Sequence, residues 1–90
     1  MDFHEFFDGL APVSQLAFAR RAGYSVANIQ IHLACPGWRR RIPSGAGFAR
    51  LVAACESYRD SVPGAPTQAE LFEYFYRPSR RRPKQQAAAA

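Results

Sequence analysis

Gln15-Leu-Ala-Phe-Ala-Arg-Arg-Ala-Gly-Tyr-Ser-Val-Ala-Asn-Ile-Gln-Ile-His-Leu33 is the stretch on which the reading of this 90-residue chain turns. Leu16, Phe18, Ala19 and Ala22 recur at helical spacing, which predicts a helix with an apolar face. Gly23 comes next, and a residue that enters the left-handed region without strain ends a helix well. Ser25 can cap a second helix by accepting from the free N–H groups of its first turn. Ile29 and Leu33, four residues apart, turn one face of that second helix inward. Two short helices joined by a short glycine-containing turn make a helix-turn-helix.

The flanks extend the same helical pattern. Asp2 and Glu5 have capping-box spacing, and Phe3, Phe6, Phe7 and Leu10 follow i, i+3, i+4, i+7. That spacing suits a core face better than a partner-binding patch. Gly9 weakens this first helix near its end, and Pro12 fits the first turn of the next. The third helix is expected over roughly 26–34. Cys35-Pro-Gly-Trp-Arg-Arg-Arg-Ile-Pro43 reads as a loop, with Trp38 and Ile42 expected to anchor it to the core. Ser44 can cap a fourth helix reaching about Ser57, with Phe48, Leu51, Val52 and Cys55 inward. Gly45 and Gly47 in its first turn leave room for a close approach to phosphate.

Ser61-Val-Pro-Gly-Ala-Pro66 is a break, and Thr67 with Glu70 forms a second capping box. The helix it starts carries Leu71, Phe72, Tyr74, Phe75 and Tyr76, five large side chains in six positions. One core face cannot hide them all. Either this helix pairs with a second copy, giving a homodimer, or it packs over helices one and four. From Arg77 to Ala90 the composition shifts to Arg, Pro, Lys, Gln and Ala, which predicts a disordered basic tail. The expected fold is all-α: a compact five-helix domain over 1–76 followed by that tail over 77–90.

Charge is unevenly placed along the chain. Residues 1–8 carry Asp2, Glu5 and Asp8; residues 9–55 carry Arg20, Arg21, Arg39, Arg40, Arg41 and Arg50 with no acid. The acid-free block coincides with the helix-turn-helix, and clustered cations are what a polyanion-binding face needs. Eleven of the twelve basic residues are Arg, a bias that a G+C-rich genome also produces. No run is long and apolar enough for a membrane span, and the acidic N-terminus is unlike a secretory signal. Two cysteines suit a reducing compartment with no disulfide framework, so a cytoplasmic location is expected.

Taken together, Gln15, Ala19, Gly23, Ser25 and Ile29 resemble the helix-turn-helix of the Cro and lambda-repressor-like phage regulators. Phe3-His-Glu-Phe-Phe7 before it and Arg39-Arg-Arg-Ile-Pro-Ser44 after it resemble the Cro-like (YdaS-type) branch found in prophages. The resemblance spans roughly residues 2–76. It implies a lambda-repressor-like fold and a DNA-binding transcriptional regulator, most simply a repressor that occupies an operator in double-stranded DNA. In such motifs the exposed start of the second helix enters the major groove, which points to Val26, Ala27, Asn28, Gln30 and Ile31 as base contacts. Asn and Gln can bond an adenine edge, and Val, Ala and Ile can pack on thymine methyls. Phosphate contacts are expected from Gln15 and Arg20, from the loop arginines Arg39, Arg40 and Arg41, and from Arg50. Three consecutive arginines cannot share one face, so two of the loop arginines are expected at the backbone.

The chain departs from better-known members, which often carry Gln or Ser where Val26 and Ala27 stand. Those two offer no side-chain hydrogen bonds, so specificity would lean on DNA shape, on Asn28 and Gln30, or on the arginine loop. His32 stands where the family prefers an apolar residue, and a half-buried histidine is expected there. His32, Cys35 and Cys55 supply at most three ligands with no second pair, fewer than a closed zinc site uses. No metal or cofactor is expected, and the cysteines read as small buried apolar residues. Neither a Ser-His-Asp set, a glycine-rich phosphate loop nor paired carboxylates in an apolar setting is present, so the chain is not expected to be an enzyme. A different class stays open: a protein-interaction module, such as an antitoxin or phage-encoded inhibitor, on the same helical scaffold. The aromatic last helix and the weak hydrogen-bonding character of Val26 and Ala27 favour it.

Overall fold

Asp2 accepts from the Glu5 N–H at 2.8 Å while the Glu5 carboxylate reaches back to the Asp2 N–H, and this capping box starts α1 (Phe3–Asp8). The fold is that of a computed structural model, which describes residues 1–77. α2 (Pro12–Ala22) begins at the expected proline and ends at Gly23, whose φ of 81° is the one positive φ among the described residues. The Gly23 N–H donates to the Arg20 carbonyl and the Tyr24 N–H to that of Ala19. These two bonds form a Schellman motif and satisfy the last carbonyls of α2.

Ser25 caps the third helix by accepting from the Asn28 N–H at 3.0 Å. That helix opens as an α-helical turn, α3 (Val26–Asn28), and continues without a break as a π-helical turn (Ile29–Leu33). It closes with an Ala34 N–H to Ile29 carbonyl bond at 2.6 Å. The span matches the sequence expectation, but the widened turn does not follow from the pattern of residues. It lets Ile29, Leu33 and Ala34 all reach the core, which a regular α-helix spaces less well.

A single 3-10 turn (Gly37–Arg39) shapes the loop. Ser44 then caps α4 (Gly45–Ser57), accepting from the Gly47 N–H at 3.1 Å. A second capping box, Thr67 with Glu70, starts α5 (Gln68–Tyr76). No strand occurs among the described residues, and no described helix is long and apolar enough to cross a membrane. The disordered tail expected from 77 onward lies, except for Arg77, outside the described residues.

One core holds the five helices together, built from Phe3, Phe6 and Phe7 of α1, Phe18, Ala19 and Ala22 of α2, Ile29 and Leu33, Leu51, Ala54 and Cys55 of α4, and Leu71 and Phe75 of α5. Phe3 is its centre, with ring centroids 5.5 Å from Phe75 and 5.8 Å from both Phe18 and Tyr74. Such offset and edge-on ring pairs add to simple burial. Two expectations fail in detail. Leu16, read as part of the inward stripe of α2, is 44% exposed, because Phe18, Ala19 and Ala22 already define a face that turns position 16 outward. Ile42, read as a loop anchor, is 58% exposed; the buried neighbours Cys35 and Pro43 hold the loop instead.

Candidate nucleic-acid interface

The third helix leaves Ala27, Asn28, Gln30 and Ile31 exposed, with Ile31 57% exposed. Val26 is half-buried and packs against the core. Of the five residues expected to face bases, four are therefore fully presented and Val26 stands at the margin. His32 is half-buried, as expected, and its carbonyl accepts from the Arg41 N–H at 2.8 Å. That bond lays the arginine loop alongside the last turn of the third helix.

Arginines stand at both ends of this helix. Arg39 and Arg41 are exposed on the loop beside its end, and the Arg39 guanidinium lies 5.8 Å from the Trp38 ring. At the start, Arg50 reaches back from α4 and donates from Nε to the Ala22 carbonyl at 3.0 Å. This puts its guanidinium over Gly23, where a Cβ would come within 2.8 Å of Nε. Arg50 thus serves the C-terminus of α2, where a cation is favoured, and the residue as a whole stays exposed. Arg20 and Arg21 are exposed in the last turn of α2. His4 and Asp8 meet at 2.8 Å on α1, and Arg77 pairs with Glu73 at 3.7 Å at the end of α5. Neither contact involves Arg20, Arg39, Arg41 or Arg50.

Two of the expected phosphate contacts are placed differently. Arg40 is turned into the fold: its Nε and Nη2 donate to the Cys35 carbonyl at 3.0 and 2.9 Å, and Nη1 donates to the Tyr74 carbonyl. The guanidinium also stacks on the Tyr74 ring, 3.4 Å from its centroid. A charge so engaged braces the end of the third helix against α5, and we assign it to the architecture. Gln15 donates from Nε2 to the Phe7 carbonyl at 3.0 Å and is half-buried. It ties α1 to α2, which leaves one amide N–H for any anion.

Tyr74 was not legible as a positioning residue, since on sequence it is one aromatic among several. Its hydroxyl donates to the Leu33 carbonyl at 2.7 Å, at the end of the π-helical turn. Burial pushes its pKa above the ordinary phenol value, so the hydroxyl remains a donor into alkaline pH. Gly47 also has an internal purpose. A Cβ there would collide with the Tyr24 hydroxyl, whereas Gly45 faces open space. Comparison of the chain with family models, with curated proteins and with solved structures returned no match.

Proposed function

We propose that this chain is a sequence-specific DNA-binding transcriptional regulator of the phage or prophage Cro-like kind, acting as a repressor by occupying an operator. The observation that carries this reading is the third helix: an outward surface of Ala27, Asn28, Gln30 and Ile31 with the exposed arginines Arg39, Arg41 and Arg50 near its ends, none of them in a described ion pair. A rod of that width fits the major groove of B-DNA, and the arginines suit the phosphates on either rim. Arg20, Arg39, Arg41 and Arg50 are the phosphate contacts of this reading. Ala27, Asn28, Gln30 and Ile31 face the bases, with Val26 at their edge.

Selection of bound fragments from random duplex DNA tests it. Replacing Asn28 and Gln30 together with Ala should relax the sequence preference more than it lowers affinity for random DNA. An equal loss on all sequences would remove both from the base-reading set.

A second reading has its own observation. Phe72 on α5 is 43% exposed and packs on Tyr76, ring centroids 5.2 Å apart, which in turn packs on Phe48. This partly covered aromatic row suits a protein partner or a second copy of the chain. Equilibrium sedimentation giving a pure monomer at tens of micromolar would eliminate the homodimer.

A further inference from the structure

The third helix turns α-helically over Val26–Asn28 and π-helically over Ile29–Leu33. At roughly 80–100° per residue in either geometry, residues two places from Ile29 point to the opposite side of the axis. The helix therefore has four approximate lines of side chains. Ile29 and Leu33 form the inward line, and both are buried. Ala27 and Ile31 form the line opposite and are exposed. Val26 with Gln30, and Asn28 with His32, form the two sides; half-buried Val26 and His32 agree with that assignment. The crest of the helix is thus apolar, and the amides of Asn28 and Gln30 flank it.

We infer that the third helix reads thymine C5-methyl groups through Ala27 and Ile31, at the centre of a site rich in A·T pairs. The inference rests on the duplex-binding reading above. A major groove offers one apolar group at base-pair edges, the thymine methyl, and an exposed isoleucine at a helix crest matches it. The flanking amides of Asn28 and Gln30 have the donor and acceptor pair that an adenine edge presents in mirror image. Residues 26–33 include no Arg or Lys, so the bidentate cation contact that most often picks out guanine is missing from the reading surface. The arginines stand at the ends of the helix, where they meet phosphate.

The experiment uses the full chain and the best duplex recovered from a random pool, resynthesised with each thymine replaced in turn by uracil, which lacks only the methyl group. At one or two positions uracil should lower affinity about fourfold, the worth of one methyl-sized apolar group. Ile31→Ala, at an exposed position that leaves the Tm unchanged, should bind the thymine duplex correspondingly less tightly and no longer distinguish uracil. If the wild-type chain binds thymine and uracil duplexes equally while keeping a sequence preference, methyl reading is overturned and the regulator reading stands. If no duplex is bound, or none with a dependence on salt, both are overturned and the crest belongs to a protein partner.

Discussion

At the scale of single residues, three neighbouring arginines divide into two tasks. Arg40 has its guanidinium on two carbonyls and an aromatic ring, while Arg39 and Arg41 are exposed. Arg40→Ala should therefore destabilise the fold by about 2–3 kcal/mol and lower the Tm by roughly 10 °C. Arg39→Ala and Arg41→Ala should change stability by less than about 0.5 kcal/mol. Thermal melts of the three variants check this, and equal losses would refute the division. Gly23 is the other residue with a fixed requirement. Gly23→Ala should cost about 1–2 kcal/mol from its left-handed backbone alone, and the new Cβ would also dislodge Arg50 from the Ala22 carbonyl. Sequence marks Gly23 clearly, because a glycine after an apolar periodic run has few other uses. It cannot say which of three identical side chains turns inward, since that depends on where α5 brings a carbonyl.

Among elements, the third helix depends on α5 more than its own sequence suggests. Tyr74 fixes the Leu33 carbonyl through its hydroxyl, and Arg40 closes the same junction from the other side. Tyr74→Phe should cost about 1–3 kcal/mol, because a buried carbonyl loses its partner. Hydrogen exchange should speed first at residues 32–35, and unchanged exchange there would contradict the bracing role. The start of every long helix was legible from a local signal: the first-turn Pro12 for α2, the cap Ser44 for α4, and the capping box of Thr67 with Glu70 for α5. The π-helical turn was not, because it arises from the need to seat Ile29, Leu33 and Ala34 on one shared core. On α4, burial pushes the Cys55 thiol from its ordinary 9.0 up to about 12. Between those values the unfolded chain has lost a proton that the folded chain keeps. Stability is full below about pH 9 and should fall above it by up to about 1.4 kcal/mol per pH unit. The raised Tyr74 hydroxyl acts in the same direction. Denaturant melts at neutral and alkaline pH measure the slope, and Cys55→Ala should flatten it.

For the whole molecule, charge is sorted along the chain. Acids stand at residues 2–8 and again between 56 and 73, and the residues from 9 to 55 carry arginine alone. That segregation was readable in the sequence; the outward stance of Asn28 and Gln30 required the fold. In the proposed complex the third helix lies along a duplex, with Arg20, Arg39, Arg41 and Arg50 on the phosphates. Its signature is the salt dependence of the full chain's affinity for duplex DNA. Four phosphate contacts per chain predict a slope of log affinity on log salt of roughly −3 to −4, falling in magnitude by about one for each of Arg39→Ala and Arg41→Ala. A slope near zero, or one that these substitutions leave unchanged, would contradict this arrangement.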